Sequence, residues 1–331
     1  MTTTRTANTT IRAITHSGDF HPDDVMSGAL LREVFPGIPI TRTRDPQVLA
    51  AALADGSTFV FDVGGEYKVT GRNFDHHQRE GVPAPRENGV GFSSFGLLWH
   101  SSYGMFFCDR LIQSFGLEGA ISVSRLHELI DIELVQGIDV LDAGQIKDPN
   151  FRPMVGGVSV EMATFGLALF RLAPQPLLFG AETDYDGAYE EAVAMAQKFL
   201  RRFAEACLAK LYGRKLIYEG RLVEERIVVV HKTIPDWSDV VSEFEETLYY
   251  IDPDTSDPTG RAYMVWQVPT QPRGFAGRKP LPEAWAGKRG DDLEAATGVP
   301  GANFCHGARF VCGGKTLEAA LAMARAAITA E

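Results

Sequence analysis

The stretch Ile11-Arg-Ala-Ile-Thr-His-Ser-Gly-Asp-Phe-His-Pro-Asp-Asp-Val-Met-Ser-Gly-Ala-Leu-Leu-Arg-Glu-Val34 decides the fold class. Ile11 to Thr15 reads as a short strand that ends at His16, followed by a polar, Gly-containing turn. From Pro22 onward Val25, Ala29, Leu30 and Val34 share one helical face, and Pro36 stops the pattern. Next, Asp45-Pro46 opens a second helix through Ala54, closed by Asp55-Gly56. Thr58-Phe-Val-Phe61 is a buried-strand pattern that delivers Asp62 just before Gly64-Gly65. Strand, helix, helix and strand at this pace predict a parallel α/β sheet.

Helical patterns continue over Ser93 to Ser114, with a break near Gly104, and over Ser122 to about Val140. Ala143 to Val160 is rich in Gly, Pro and Asp. A helix over Glu161 to Leu172 runs into Ala173-Pro-Gln-Pro176. A long helix follows, about Tyr185 to Tyr212, striped by Val193, Ala196, Leu200, Phe203 and Cys207. Strand candidates are Arg226 to His231, Leu248 to Asp252 and Ala262 to Val268. Phe304-Cys-His306, Arg309-Phe-Val311, Gly313-Gly314 and a final helix from Thr316 close the chain. The expected organisation is an α/β domain over 1–145, a connecting segment over 146–182 and a smaller α+β domain over 183–331.

The chain has 331 residues, 45% hydrophobic and 23% charged, enough for one large or two ordinary domains of a soluble globular protein. A formal net charge of −11 argues against a broad basic surface for coating duplex nucleic acid. Cys108, Cys207, Cys305 and Cys312 are scattered without a C-x-x-C pair, so buried reduced thiols are expected. No apolar run reaches transmembrane length, and no signal-peptide core follows Met1, which leaves no membrane partner and a cytoplasmic location as the expectation.

Three segments concentrate imidazoles and carboxylates: Thr15-His-Ser-Gly-Asp-Phe-His-Pro-Asp-Asp24, Phe61-Asp-Val-Gly-Gly65 and Asn73-Phe-Asp-His-His-Gln78. The first two lie just beyond predicted strands, where open α/β sheets place their ligand crevices. Adjacent histidines cannot both face inward on one strand, but in a turn they can diverge. Mixed imidazole and carboxylate donors suit Mn²⁺, Fe²⁺, Co²⁺ or Zn²⁺ better than Mg²⁺. Any one segment is common by chance; the three in order point to a divalent-metal site. Between Gln271 and Gly290, Arg273, Arg278, Lys279, Lys288 and Arg289 face a single acid, Glu283, with Phe275 and Trp285 among them. Such a basic, aromatic stretch in an acidic chain fits either an anionic substrate or a solvated loop.

These same segments resemble the melanocyte-proliferating-gene exonuclease family, which is similar to the DHH phosphoesterases, including RecJ-type exonucleases and family II inorganic pyrophosphatases. Ile138-Asp-Val-Leu-Asp-Ala-Gly144, Trp266-Gln-Val-Pro269, Leu281-Pro-Glu-Ala-Trp285, Phe304-Cys-His306 and Gly313-Gly-Lys-Thr316 extend the resemblance nearly end to end. It implies a parallel-sheet DHH-type metal domain followed by a substrate-binding, DHH-associated-like domain. The metal ligands it implies are His16, His21 and Asp23, a bridging Asp62, and Asp75, His76 and His77. Asp139 is favoured for the fourth motif, with Asp142 as its rival. Asp24 is either a ligand or a helix-dipole residue. His77 and Asp62 become the catalytic candidates, while Arg278, His306, Gly313 and Gly314 become substrate contacts. The implied activity is two-metal phosphoester hydrolysis, Mn²⁺ favoured, as a 3′-to-5′ exonuclease on RNA or single-stranded DNA. Hydrolysis of an oligoribonucleotide, dinucleotide or pyrophosphate is the alternative, then non-catalytic metal or nucleotide binding; a homo-oligomer is left open.

Overall fold

The computed structural model describes residues 11–78, 80–146, 165, 166, 168, 169, 172, 184–219, 221–223, 226–271, 274 and 276–330. The helix expected over Glu161 to Leu172 falls largely outside these residues, as do most of the expected connecting segment and Arg273 and Phe275 of the basic stretch. The chain divides into two compact units, Met1–Cys207 and Leu208–Glu331.

The first unit is built on β1 (Arg12–Thr15), α1 (Pro22–Val34), β2 (Ile40–Arg42), α2 (Pro46–Asp55), β3 (Thr58–Phe61), β4 (Tyr67–Lys68) and β5 (Asn73–Phe74). The sheet order is β2-β1-β3-β5-β4. β1 pairs in parallel with β2 and β3, and β3 in parallel with β5, while β4 runs antiparallel at the edge. The chain therefore leaves β1 to one side and returns on the other, which makes the β1/β3 junction a topological switch point. Local chemistry explains the boundaries. Asp45 accepts from the Gln47 and Val48 amides, Pro46 sits in the first turn, and Gly56 ends α2 in the left-handed region at φ 64°. The strands β1 and β3 match the sequence expectation within a residue. β2, β4 and β5 were not anticipated, because two- or three-residue strands show no alternation.

Helices α3 (Ser94–Trp99), α4 (Ser102–Ser114), α5 (Val123–Ile130) and α6 (Gln136–Asp142) follow, with a π-helical turn over Asp131–Val135 between the last two. The break in the first helical pattern falls at Ser101, whose side chain caps α4, rather than near Gly104. Phe59, Phe61, Phe74, Phe95 and Trp99 are fully buried in this unit.

The helix α7 (Tyr185–Glu219) continues beyond the expected Tyr212. Its first part belongs to the first unit because Tyr189 donates to the Asp24 carbonyl at 3.1 Å and packs under the Arg42 guanidinium. The division between the two compact units falls within α7, after Cys207.

The second unit contains β6 (Arg221–Val223), β7 (Ile227–Val229), α8 (Trp237–Val241), β8 (Tyr249–Pro253), β9 (Tyr263–Gln267), α9 (Gly290–Thr297), β10 (Ala302–Cys305), β11 (Val311–Gly314) and α10 (Leu317–Thr329). Its sheet runs β10-β11-β9-β8-β7-β6, antiparallel except for the β7–β8 pair. Tyr249, Ile251, Val265 and Cys312 pack one face against Ala320, Met323, Ala324 and Ala327 of α10. Tyr250, Val228 and Val268 pack the other against Val240, Val241 and Ile217. All four cysteines are buried. Among the described residues no helix is long and apolar enough to cross a membrane.

Candidate metal centre

The C-terminal ends of the three adjacent parallel strands each deliver one piece of a cluster. β1 ends at His16, β3 at Asp62, and β5 at Asp75-His76-His77, while α1 brings Asp23 and Asp24 in its first turn. Asp62 adopts φ 53°, a left-handed conformation that Asp tolerates better than most residues, and this turns its carboxylate across the strand ends. One oxygen, Oδ2, lies 3.1 Å from His16 Nε2. The other, Oδ1, lies 3.4 Å from His76 Nε2 and 3.6 Å from His77 Nδ1. His76 Nε2 is also 3.1 Å from Asp142 Oδ2 and 3.8 Å from Asp23 Oδ2.

These atoms approach without aligning. Both oxygens of Asp62, Asp23 Oδ1, Asp24 Oδ2, His16 Nε2 and His76 Nε2 are buried and make no hydrogen bond. Four overlapping groups of donors converge within 4.8 Å: His16, His21 and Asp62; Asp62, His76 and His77; His21, Asp23 and Asp142; and Asp23, Asp24 and Asp62. Asp62 belongs to three of them. Lone pairs that point into a shared space, instead of at donors, are what a divalent cation fits. The site opens into a cavity of about 320 Å³ lined by His16, His21, Arg44, Asp62, His77 and Gln78, among others.

The electrostatics reflect that crowding. Burial, with Asp62 and Asp142 adding repulsion, holds the Asp23 carboxyl well above its usual range. Burial pushes Asp24 up to about 8, even though His16 opposes the shift. Burial works against a charged Asp62, but His16 and His76 outweigh it and keep the carboxyl low. Burial likewise opposes the His76 imidazolium, yet Asp142 and Asp62 raise it to about 11. Like charges in a dry pocket drive protons onto some members and off others.

Two expected ligands are placed elsewhere. Asp75 spends both oxygens on the turn: Oδ2 accepts from the Gly65 amide at 2.6 Å, and Oδ1 from the His76 and His77 amides and from His77 Nδ1 at 2.7 Å. It therefore orients the two histidines and is absent from the converging groups. Asp139 points away as well. Its Oδ1 accepts from the Ser93 amide and hydroxyl and the Gly96 amide, and its Oδ2 lies 2.8 Å from Arg86. A Cβ on Gly96 would sit 2.2 Å from that carboxylate, so glycine is needed there. Asp142, one turn further along α6, is the fourth-motif carboxylate that reaches His76.

The family model MYG1_exonuc, described as "Uncharacterised protein family (UPF0160)", matches residues 12–328. The chain belongs to this family. It is 30% identical to a MYG1 protein of Schizosaccharomyces pombe, over 97% of this chain and 98% of that one. It is 30% identical to the MYG1 exonuclease of Homo sapiens, over 95% of this chain and 85% of that one. A solved pGpG-specific phosphodiesterase, PggH from Vibrio, aligns over 96% of this chain and 97% of its own, at 14% identity and a TM-score of 0.25.

In the second unit the expected substrate contacts have other occupations. The Arg278 guanidinium donates to four backbone carbonyls, those of Ser242, Phe244, Glu245 and Thr247, and so ties down the connection between α8 and β8. Lys279 caps the last helix through the Ile328 and Ala330 carbonyls. Gly313 and Gly314 lie within β11, where a Cβ on Gly314 would come 2.6 Å from the Ala320 amide of α10. Gly314 thus permits close strand–helix packing, while a Cβ on Gly313 would come 2.6 Å from the Phe304 ring of β10. His306 is exposed in the β10–β11 connection; its Nδ1 accepts from the Ala308 amide, and its ring lies 4.5 Å from Phe310. Sequence reasoning missed Arg44 and Arg86. Only their position beside acidic motifs, within Arg42-Thr-Arg-Asp45 and ahead of Ser93, could have drawn notice.

Proposed function

We propose that the chain is a divalent-metal phosphoester hydrolase of the DHH type, acting as a 3′-to-5′ exonuclease on RNA or single-stranded DNA. The observation that carries this reading is Asp62, buried at a switch point with His16 on one oxygen and His76 on the other. That arrangement suits a carboxylate bridging two cations. The exonuclease names carried by relatives of nearly full-length similarity support the substrate class.

His16, His21, Asp23, Asp24, Asp62, His76 and Asp142 would hold the metals, and their mixed nitrogen and oxygen donors favour Mn²⁺ over Mg²⁺. The bound ions would lower the pKa of a coordinated water and neutralise charge on the phosphoryl oxygens. His77 is 62% exposed at its side chain and lines the cavity. Its Nδ1 bond to Asp75 raises the imidazole's pKa, and with Nδ1 so engaged Nε2 is the atom that would donate toward the leaving oxygen. Arg44 also lines the cavity while its Nε donates to the Ser17 carbonyl, leaving the guanidinium tip to grip a phosphoryl oxygen.

The test is metal analysis of the purified protein, followed by hydrolysis of end-labelled single-stranded RNA and DNA, a dinucleotide and pyrophosphate with Mn²⁺. Stepwise loss from the 3′ end of single strands is expected. Turnover confined to the dinucleotide or pyrophosphate would replace the exonuclease with a small-substrate hydrolase. Metal binding without turnover of any substrate would leave only a binding protein.

A further inference from the structure

The second unit contains a feature that no part of the metal chemistry uses. A cavity of about 470 Å³ is lined by Trp237, Ser238, Trp266, Gln267, Pro269 and Phe310, among others. Trp266 lies 6.3 Å from Trp237 and 6.3 Å from Phe310, centroid to centroid. Each indole is held from β8. Tyr250 stacks on Trp237 at 4.3 Å with the planes 8° apart. Asp252 Oδ1 accepts from Trp266 Nε1 at 2.9 Å. Tyr250 and Asp252 are two residues apart on one strand and so share a face, and Trp266 pairs directly across from Tyr250.

Asp252 gives this arrangement its meaning. It is only 4% exposed, and burial pushes its carboxyl up to about 6. Burying a carboxyl group costs stability unless it does something for the structure. What Asp252 does is fix the orientation of an indole that is itself only half buried. Trp266 is thus a positioned wall of the cavity, and its partner Trp237 is clamped by a parallel ring.

We propose that this cavity is a base-stacking site for the nucleobase of a nucleotide or single-stranded nucleic acid. Rigid, flat, delocalised walls with a few polar groups at the edge, the Ser238 hydroxyl and Gln267 carboxamide, match a planar heterocycle better than an aliphatic ligand. His306 lies beside Phe310, with ring centroids 4.5 Å apart, which gives the phosphate of a stacked nucleotide a hydrogen-bonding neighbour. The choice of a nucleotide rests on the phosphoesterase reading, but the geometry of the site does not depend on the metals.

The experiment is titration of the full chain with adenosine 5′-monophosphate, in chelator to silence the metal centre, followed by tryptophan fluorescence and calorimetry. Ribose 5-phosphate serves as the probe without a base. Adenosine 5′-monophosphate is expected to bind, and ribose 5-phosphate to bind at least about tenfold more weakly. Trp266→Ala and Phe310→Ala should each lower affinity about tenfold, whereas Trp266→Phe and Asp252→Asn should retain most of it. If Trp266→Ala fails to fold, Phe310→Ala and Trp266→Phe still decide the matter. Equal binding of the two probes, or unchanged binding by folded Phe310→Ala, overturns the site. Preference for an apolar peptide over the nucleotide also overturns it. Hydrolysis of nucleic acid without base-dependent binding removes this site alone. Base-dependent binding in a protein that hydrolyses nothing keeps the site and removes the hydrolase.

Discussion

The two units bury different things. Apart from Thr247 and Asp252, every buried polar or charged side chain among the described residues lies in the first unit. There, His16, Asp23, Asp24, Asp62, Asp75, Asp131 and Asp139 occupy interior positions that Tyr249, Ile251, Val265 and Met323 fill in the second. A core of the second kind is stabilised mainly by apolar burial, at about 25 cal/mol per Å². A core of the first kind contains groups whose desolvation must be offset one by one, by Arg86 for Asp131 and Asp139, and by cations for the cluster around Asp62. The first unit should therefore respond to charge, to metal and to pH above 6.5, whereas the pH response of the second is confined to the range below about 6 in which Asp252 titrates.

The largest effect that probes this contrast is expected at Asp62. Asp62→Asn keeps the size and the backbone preference but removes the bridging charge. It should reduce turnover by about 10³-fold or more, roughly 4 kcal/mol of barrier, and lower metal content while circular dichroism stays unchanged. Wild-type metal stoichiometry in this variant would move the centre elsewhere.

Next is the interior ion pair. Asp139→Ala strands Arg86 against a remaining partner, Asp131, and should cost roughly 3 kcal/mol of stability in the first unit. Denaturant unfolding measures it. A cost below about 1 kcal/mol, ordinary for an exposed pair, would show that Arg86 is solvated.

Metal and pH come third. Asp24, with a folded pKa of about 8, binds a proton more tightly folded than unfolded, so its contribution falls as pH rises toward 8. His16 and His76 are raised above 6.5, so the stability they add is fully present below 6.5 and lost as pH rises through their folded values. Both terms have the same sign between pH 6.5 and 8. Hydrogen exchange should therefore show the metal-free first unit loosening over that window and the second unit unchanged. Adding Mn²⁺ at 100 times its Kd should restore about 2.7 kcal/mol, because metal replaces the protons. A metal-free first unit that tightens between pH 6.5 and 8 would contradict the crowded-cluster picture.

The smallest effect separates structure from chemistry in the second unit. Arg278→Ala removes a donor shared by four carbonyls and should cost roughly 2 kcal/mol, seen as a lower unfolding midpoint with kcat/KM and metal content unaltered. A fall in kcat/KM at unchanged stability would return Arg278 to the substrate.

The elements legible in the sequence were those with chemical punctuation. Asp45-Pro46 and Gly56 bracket α2, and Pro22 opens α1 directly behind the first histidine pair. The cluster was legible for a related reason: His16 and Asp62 follow apolar strand segments, and strand ends are where parallel sheets expose side chains, while His76 was marked by its neighbours Asp75 and His77 and not by the two-residue β5. The resemblance favours Asp139 over its rival Asp142, but the π-helical turn over Asp131–Val135 resets the rotation of α6 and no spacing rule anticipates it. Arg278 was opaque for another reason. Composition shows a positive charge but not the four carbonyls that a fold gathers around it. Trp237, Trp266 and Phe310 are distant in sequence and meet only in the folded unit, Trp237 by stacking from α8 onto Tyr250.

The left-handed backbone at Asp62 has a further consequence for how this position tolerates change. Only glycine, asparagine and aspartate adopt φ near 53° readily, whereas a β-branched residue there would strain the turn after β3. Position 62 therefore has two separate acceptance lists. Glycine and asparagine should yield abundant, inactive protein, valine and isoleucine should yield little protein at all, and aspartate alone should satisfy both requirements. A saturation library scored once for abundance and once for activity would show the lists diverging most sharply at this residue.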